Sequence, residues 1–579
     1  MATEDLARST PPSASTADAG NATGAAAGRR QLLVLGGGAV LAFSLLVIAL
    51  SGLASLTGAS GASKPGIDAT AKAITLALRE EPPQLNSIKA TDQVSGMILG
   101  HVMEGLLRYG ADNRLHPGIA ERWEVSETSA TFWLRENARW SDGTPITAQD
   151  FVFSWQQAVS PETASEYAFI LYAVKNGEAI SRGDVPVSEL GVRAANDRTL
   201  IVEFEKPIAY FEKLVAFVTY RPVKEAFFRQ TNGRYGADAD MLLYSGPFVI
   251  DRWVHGAHVR LKKNPYYWNA NEIRLDVIDF PYLTSDVNAT LNLFKDGSIA
   301  YTTLQAENLQ DALEQRFELN RFMDGSVFYI EFNHREGTPT RSYHLRRALQ
   351  LVNDPDELVY KVLKAPGYLP GESLFPVWLQ GAERLLRQEY PAPTPTVDVA
   401  EARRQLELAK AELGVDEIPP LVLLSGDNPI SNKQSEYYQD LFRRTLGIEV
   451  RIDKQIFKQR LAKMTAGEFD MVLAGWGPDF DDPLTFGDLF ASWNLNNRGR
   501  YDNPDLDKWV RVAQGSLDQV IRAEAFGNIQ RILYEDAVLL YNYERGLVYV
   551  TDPRLKGIVR RAAGHDPDFT YAYIDAAED

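Results

Sequence analysis

The chain has 579 residues, which is too long for one hydrophobic core. Its apolar fraction of 45% is typical of well-packed proteins, so two or three globular domains are predicted. Its formal net charge of −17 argues against a nucleic acid or an anionic membrane surface as the partner. There is no cysteine, which excludes disulfides, thiolate metal sites, cysteine nucleophiles and a lipid-modified amino-terminal cysteine.

The amino-terminal region predicts a membrane anchor. Residues 1–31 are rich in small and polar residues and contain Arg29 and Arg30 near their end, so they are expected to form a disordered cytoplasmic tail. The uncharged segment 32–56 would, as a transmembrane helix, reach about 37 Å at roughly 1.5 Å per residue. A cleaved signal peptide is the alternative, because small residues follow the apolar run. Residues 57–72 are expected to be a linker.

The first folded elements follow from hydrophobic periodicity. Ala73–Leu78 is expected to be a strand, and a helix is expected from about Gln93 to Leu107, where apolar residues recur every four positions. Ser129–Arg135 alternates like a strand. Thr147 and Asp150 form a capping-box pattern that predicts the start of a second helix.

A hairpin is predicted around His255, Gly256 and Ala257. The pair His255 and His258 could in principle bind a metal, but no third ligand is near in the sequence, so no metal site is predicted. No cofactor is expected either.

From Val399 onward, helices and strands alternate, which predicts an α/β fold with a parallel sheet covered by helices on both faces. The predicted elements are helix Glu401–Leu413, strand Leu421–Leu424, helix Lys433–Leu446, strand Ile448–Ile452, helix Phe457–Thr465, strand Phe469–Ala474 and a final strand Val538–Tyr543. Gly414 and Gly447 are expected to end the first two helices.

The loop Gly475–Asp479 is the strongest candidate site. It follows a buried strand, and in open α/β sheets ligands bind beyond the carboxyl ends of the strands. The loop combines exposed backbone, the aromatic ring of Trp476 and the carboxylate of Asp479, which would face a cation. The alternative is that the glycines and prolines only turn the chain while Asp479 caps the next helix.

Several sequence blocks closely resemble the oligopeptide-binding family of ABC importer solute receptors. The blocks are Glu104–Leu107, Pro117–Trp123, Phe132–Gln156, Ser160–Tyr167, Asn264–Trp268 and Gly475–Asp479. They occur in the family's order and spacing, and the match covers nearly everything after about Ile74. The resemblance implies a two-lobed clamp of the periplasmic-binding-protein type (type II) with an extra third domain.

The resemblance also implies domain boundaries. These are 73–103, 225–327 and 547–579 for the three segments of lobe I, 104–224 for the extra domain and 328–546 for lobe II.

In that family an extended peptide lies between the lobes as an added strand. The resemblance implies backbone contacts at Thr91, Asp92, Gln93, Gly475 and Gly477. It also implies that Asp479 binds the peptide's amino group, in agreement with the need of a desolvated carboxylate for a cation. The family pocket positions fall on Trp476, Tyr167, Phe457 and the acidic Glu331.

The sequence departs from the family where short-peptide carboxylates are bound. The family's basic positions fall on Leu473, Met464 and Ser431. An unpaired carboxylate there would be costly to bury, so either another base such as Lys364 substitutes or the ligand differs.

These observations predict a monomeric receptor that binds peptides and delivers them to the permease subunits of an ABC importer, with its binding lobes outside the membrane. An enzyme is not expected, because the chain contains no Gly-x-Ser-x-Gly or His-Glu-x-x-His motif. The alternative is a membrane-tethered peptide sensor or adaptor with the same fold. Co-purification of a kinase or chemoreceptor would favour this alternative.

Overall fold

The computed structural model describes residues 65–394 and 396–575. The expected tail and the expected membrane segment 32–56 lie outside the described residues. Among the described helices, none has the length and apolar composition to span a bilayer. Residues from Lys64 onward belong to one compact unit, which contains two large sheets. The names lobe I, lobe II and extra domain below follow the boundaries that the resemblance implies.

Lobe I is built on a five-stranded sheet. Its strands, in spatial order, are Ile67–Asp68, Ala73–Leu78, Val277–Leu283, His258–Lys263 and Phe248–Val254. The predicted hairpin around Gly256 is confirmed by the antiparallel pairing of the last two strands. Ile67–Asp68, within the expected linker, is itself a strand that pairs with Ala73 and Ile74.

The second large sheet is mixed and has seven strands, and it includes segments that the expected boundaries divide between lobe I and lobe II. Its strands, in spatial order, are Tyr301–Leu304, Leu539–Thr551, Asn320–Phe332, Met471–Trp476, Leu421–Gly426 and Val450–Gln455, with Leu369–Pro370 paired to the second of them. The three strands of the predicted β-α-β-α-β region are parallel, as expected. They join the rest of the sheet through an antiparallel neighbour, so the sheet is mixed rather than parallel throughout.

The extra domain has a four-stranded antiparallel sheet with the order Ala120–Val125, Ser129–Leu134, Thr199–Glu203 and Val192–Asn196. The helix Ala148–Val159 contacts this sheet. Its predicted capping box is confirmed, since the backbone N–H of Thr147 donates to the carboxylate of Asp150 at 2.8 Å. Two short pairs, Leu107–Tyr109 with Leu115–Pro117 and Leu555–Lys556 with Tyr573–Ile574, complete the described sheets.

The helices occupy the connections between these strands. The α-helices are Gln93–Val102, Ala148–Val159, Gly177–Ser181, Phe211–Leu214, Glu225–Gln230, Val287–Lys295, Ala306–Glu314, Tyr343–Gln350, Leu386–Glu389, Val399–Leu413, Pro429–Leu446, Phe457–Ala466, Leu484–Gly487, Pro504–Gly515 and Gln519–Glu535, with a π-helix at Glu357–Leu363. Short 3₁₀ turns lie at Ala168–Ala173, Val187–Glu189, Val218–Tyr220, Ala239–Met241, Ala270–Glu272 and Pro339–Arg341. Gly414 and Gly447 end their helices in the left-handed conformation, as predicted.

The prediction of a helix from Gln93 to Leu107 was wrong at its end, because the helix ends at Val102. The backbone carbonyls of Gly105 and Leu106 instead accept hydrogen bonds from Ile119 and Gly118, at 2.9 Å and 3.0 Å. The chain is extended at Met103, and Leu107 begins a strand that pairs with Pro117. Pairing with residues 115–119 therefore takes the place of the last predicted helical turn.

Two strands of 13 residues each, Asn320–Phe332 and Leu539–Thr551, pair along their length. The second extends well beyond the predicted Val538–Tyr543. Irregular register between Met323 and Val327 marks a bulge, where Gly325 has a φ of 77° and the strand bends. The expected domain boundaries at 327/328 and 546/547 fall inside these strands.

A buried ion pair ties the loop after the candidate site to the helix Gln519–Glu535. The guanidinium of Arg522 donates to both carboxylate oxygens of Asp482, at 2.5 Å and 3.0 Å, and both residues are buried. We expect Arg522→Gln to lower the free energy of unfolding by about 3–5 kcal/mol, because Asp482 is left buried without its cation.

Arg531→Gln is the matched control, because Arg531 lies on the same helix and forms an exposed pair with Glu535. We expect it to change the free energy of unfolding by no more than about 0.5 kcal/mol. Denaturant unfolding followed by circular dichroism measures both. Equal losses in the two variants would contradict a special role for the buried pair.

Candidate functional site

A cavity of ≈ 510 Å³ lies between lobe I, lobe II and the extra domain. Nine of the predicted site residues line it: Thr91, Asp92, Gln93, Tyr167, Phe457, Gly475, Trp476, Gly477 and Asp479. The predicted position of Gly475–Asp479 at the carboxyl end of a parallel strand is confirmed. The predicted start of the loop was wrong, because Gly475 and Trp476 belong to the strand and pair with Phe328 and Val327.

The strand Met471–Trp476 presents a partly free edge to this cavity. On one side it pairs with Asn320–Phe332 over its full length. On the other side its parallel pairing with Leu421–Gly426 extends only to Val472. The backbone from Leu473 to Trp476 therefore has no neighbouring strand on that side within the described residues, and an extended ligand could add there.

Asp479 lies at the end of this free edge. Its carboxylate accepts a hydrogen bond from the hydroxyl of Tyr167 at 2.9 Å, and its backbone N–H donates to Thr485 at 2.8 Å. It caps no helix, since the cap of the next helix, Leu484–Gly487, is Pro483. The alternative interpretation of Asp479 as a helix cap is therefore wrong.

The charge of Asp479 is unbalanced. Within the described residues, no Lys, Arg or His lies within ion-pair distance of its carboxylate. Burial raises the pKa of Asp479 to about 8, although the hydrogen bond from Tyr167 opposes the shift. Burial, together with the neighbouring carboxylate, also raises the pKa of Tyr167. A ligand cation would restore the normal ionisation of Asp479.

Aromatic side chains surround the carboxylate. The ring centroid of Tyr167 lies 4.9 Å from that of Phe217 and 6.1 Å from that of Trp476. The indole N–H of Trp476 is buried without a hydrogen-bond partner among the described residues. It is therefore a donor available to a ligand.

On lobe I, Asp92 and Gln93 begin the helix Gln93–Val102. Asp92 caps it by accepting the backbone N–H of Ser95 at 2.8 Å, and burial raises the pKa of Asp92 to about 6. Gln93 reaches across the cleft, where its amide donates to Ser326 at 3.2 Å and accepts from Arg545 at 2.9 Å. No side-chain hydrogen bond of Thr91 is resolved.

The prediction that Glu331 lies in the pocket was wrong, because Glu331 does not line the cavity. Phe328, on the same strand, does line it, and period-two alternation puts position 331 on the opposite face. Glu331 accepts the backbone N–H of Gly499 at 2.5 Å, and burial raises its pKa to about 7.

The suggested substitution of Lys364 for the missing bases was also wrong. Lys364 follows the π-helix Glu357–Leu363 with a φ of 51° and is exposed. It does not line the cavity.

Sequence reasoning missed Arg460, which does line the cavity. It lies four residues before Met464 on the helix Phe457–Ala466, and residues four apart share a helix face. That spacing was a usable signal, because Met464, Leu473 and Ser431 all line the cavity too.

Direct contacts cross the cleft from the extra domain to lobe II and from lobe I to lobe II. Glu166, beside Tyr167, pairs with Arg498 at 2.5 Å and accepts from the hydroxyl of Thr465 at 2.8 Å. Gln93 and Arg545 make a second contact. These interactions hold the cavity closed.

His101, His565 and Asp568 form the one described group of three with potential metal ligands. Both ring nitrogens of His101 are already used, one with the carbonyl of Met97 at 2.8 Å and one with the N–H of Phe569 at 2.9 Å. Asp568 pairs with Arg561 at 2.6 Å. The group therefore does not fit a metal ion.

Comparisons with known proteins agree with this architecture. Residues 114–497 match the family described as "Bacterial extracellular solute-binding proteins, family 5 Middle". The oligopeptide-binding protein OppA of Bacillus subtilis is 29% identical over 521 residues, covering 88% of this chain and 94% of the relative. The structure of Listeria monocytogenes OppA bound to peptide has a TM-score of 0.82 and 30% identity, covering 87% of this chain and 99% of that chain.

Two structures of a third relative, one of them an open form, allow the arrangement of the lobes to be compared. The structure of the Escherichia coli murein tripeptide binding protein MppA has a TM-score of 0.80 at 26% identity, covering 87% of this chain and 98% of its own. The unliganded open form of MppA, at 26% identity and coverages of 87% and 97%, has a TM-score of only 0.58. The lobes of the present structure are therefore arranged unlike the open form.

The raised pKa of Asp479 predicts pH-dependent closure of the empty cleft. In an open cleft the carboxylate is solvated and titrates near its ordinary value of 3.8, whereas in the closed cleft it titrates near 8. Closure without ligand therefore takes up a proton between these values and becomes less favourable as pH rises through that window. We expect the radius of gyration of the empty protein to be larger at pH 8 than at pH 5.

Asp479→Asn isolates this effect, because the variant keeps Asp92 and Glu331, which also titrate in this window. The variant should show a weaker pH dependence in small-angle scattering. Identical profiles for the two proteins would contradict the assignment to Asp479.

Proposed function

Because the chain belongs to the bacterial extracellular solute-binding proteins of family 5, we propose that it captures peptides between its lobes and delivers them to the permease subunits of an ABC importer. The observation that carries the proposal is the free strand edge from Leu473 to Trp476, which ends at the unbalanced carboxylate of Asp479. An extended peptide supplies both complements, a backbone for the edge and an α-ammonium for the carboxylate.

Main-chain pairing would let the site accept peptides of many sequences. A peptide added to a strand edge is held by backbone hydrogen bonds that every sequence offers. Gly475 and Gly477 leave little room for side chains of their own, since a Cβ at either would meet Phe328 or Gln93. We propose that these glycines, with Thr91 to Gln93 on the opposite wall, form the backbone surfaces that face the peptide.

Closure completes the site. Tyr167 and Glu166 lie on one segment, and they contact Asp479 and Arg498 of lobe II. A ligand ammonium at Asp479 would therefore be enclosed by the same segment that joins the extra domain to lobe II. We propose that ligand binding stabilises the closed lobes in this way and that a single copy of the chain is sufficient.

The amine role of Asp479 predicts a specific loss on mutation. Asp479→Asn keeps the side chain's shape but removes its charge, so affinity for peptides with a free amino terminus should fall by about 2–5 kcal/mol. Acetylation of the peptide should cause a similar loss in the wild type and little further loss in the variant, because both changes delete one interaction. Titration calorimetry of the four combinations measures the coupling.

Asp481→Asn is the matched control, because Asp481 lies two residues away and its side chain is 60% exposed. It should leave the affinity for both peptides within about twofold. Equal wild-type affinity for free and acetylated peptides would remove the amine role from Asp479.

We also propose that the segment 32–56 is retained as a membrane anchor, with the binding lobes on the outer face of the membrane. The proposal rests on the uncharged length of that segment and on Arg29 and Arg30 before it. Amino-terminal sequencing of the native protein is expected to find a chain that still contains the segment. A mature chain that starts near Ser60 to Lys64 would mean a cleaved signal and a released receptor.

A further inference from the structure

We propose that Arg460 binds the carboxylate of the bound peptide and thereby selects short peptides with a free carboxyl terminus, an inference that rests on the proposed peptide-binding function. Arg460 lies on the helix Phe457–Ala466 and lines the cavity. One of its guanidinium nitrogens donates to the backbone carbonyl of Leu473 at 2.8 Å. Its Nε is buried without a partner among the described residues.

The charge of Arg460 is not neutralised. No carboxylate of the described residues lies within ion-pair distance of it, and the nearby Glu80 pairs with Arg79 at 3.1 Å. Burial lowers the pKa of Arg460, Glu80 partly opposes this, and the like charges of Arg79 and Arg498 add to it. An arginine nevertheless stays charged at neutral pH, so the closed cleft contains a cation that an anionic ligand group would stabilise.

Other arginines that line the cavity already have acidic neighbours. Arg545 donates to Asp324 at 2.6 Å, Arg498 pairs with Glu166, and Arg560 and Arg561 pair with Asp566 and Asp568. The buried carboxylate of Glu104 interacts electrostatically with both Arg108 and Arg221. An anion bound to one of the ion-paired arginines would compete with an existing carboxylate. Arg460 has no ion pair among the described residues, and the acidic residue that acts on it, Glu80, is itself paired with Arg79.

The position of Arg460 matches the far end of an extended peptide. Its guanidinium is fixed beside Leu473, at one end of the free edge, while Asp479 lies six residues further along the chain. At about 3.3 Å per residue, six extended residues span at most about 20 Å. A peptide whose ammonium is at Asp479 and whose carboxylate is at Arg460 therefore has at most about six residues.

The two unbalanced charges have opposite signs, as do the two ends of a peptide. The free backbone edge between these two charges is the third feature that matches a peptide, because it can pair with the peptide's main chain. Planar guanidinium also binds carboxylates with two parallel hydrogen bonds, which is the geometry for which arginine is preferred over lysine. Arg460, one helical turn before Met464, thus compensates for the absence of basic residues at positions 431, 464 and 473.

The test uses the full-length chain and a mixture of pentapeptides with uncharged side chains, prepared with a free or an amidated carboxyl terminus. Amidation should weaken binding to the wild type by at least about 30-fold, the scale of losing one partner of a buried charge pair. Arg460→Gln should weaken binding of the free peptides similarly, and amidation should then cause little further loss. The glutamine retains a donor for the carbonyl of Leu473.

Two controls separate the charge interaction from damage to the fold. The variant should bind the amidated peptides within about twofold of the wild type, which a misfolded protein would not do. Lys458→Gln removes a charge from an exposed position of the same helix and should retain the full response to amidation. A similar change in response in the Lys458 variant would overturn the assignment to Arg460.

Peptide length gives an independent measurement. For free peptides of three to ten residues, wild-type affinity should fall beyond about six residues, because the carboxylate then passes Arg460. The preference should flatten in Arg460→Gln. Wild-type binding of free and amidated pentapeptides with equal affinity would overturn the role of Arg460 while leaving the receptor function intact. Failure of the wild type to bind any of the peptides would instead contradict the proposed function.

Discussion

The cost of enclosing an uncompensated carboxylate is the constraint on which the site depends. The carboxylate of Asp479 lines the closed cavity and is desolvated by burial, and among the described side chains the hydroxyl of Tyr167 is its hydrogen-bond donor. Such a group is stable in a closed cleft when it is protonated or when a cation joins it. Tyr167, which bonds Asp479, is adjacent in the chain to Glu166, which pairs with Arg498. The ionisation of Asp479 and the contact between the extra domain and lobe II therefore involve one segment.

The two long paired strands give one wall of the cleft a rigid support. Asn320–Phe332 pairs with Met471–Trp476 and with Leu539–Thr551. The strand that carries the free edge is therefore fixed in the sheet along its other side. The bulge at Gly325 bends the pair near the cleft.

The corrected residues show which inferences fail without a three-dimensional structure. Glu331 and Phe328 are close in sequence, yet strand alternation puts them on opposite faces, and only Phe328 lines the cavity. Lys364 has a suitable charge but lies at an exposed helix end. Arg460 was overlooked because its role follows from the helix face that it shares with Met464 rather than from a matching position.

The sequence by itself determined the local elements, the alternation of helices and strands after Val399, and the loop at the end of Met471–Trp476. These features are encoded in short windows, since side-chain periodicity and glycine at helix ends act over a few residues. Only the tertiary structure decided that Tyr167 bonds Asp479, that Glu166 pairs with Arg498, and that Arg460 has no carboxylate partner within residues 65–394 and 396–575. Each of these depends on segments that are far apart in the chain, and whether a charge is paired depends on every group that folding brings near it.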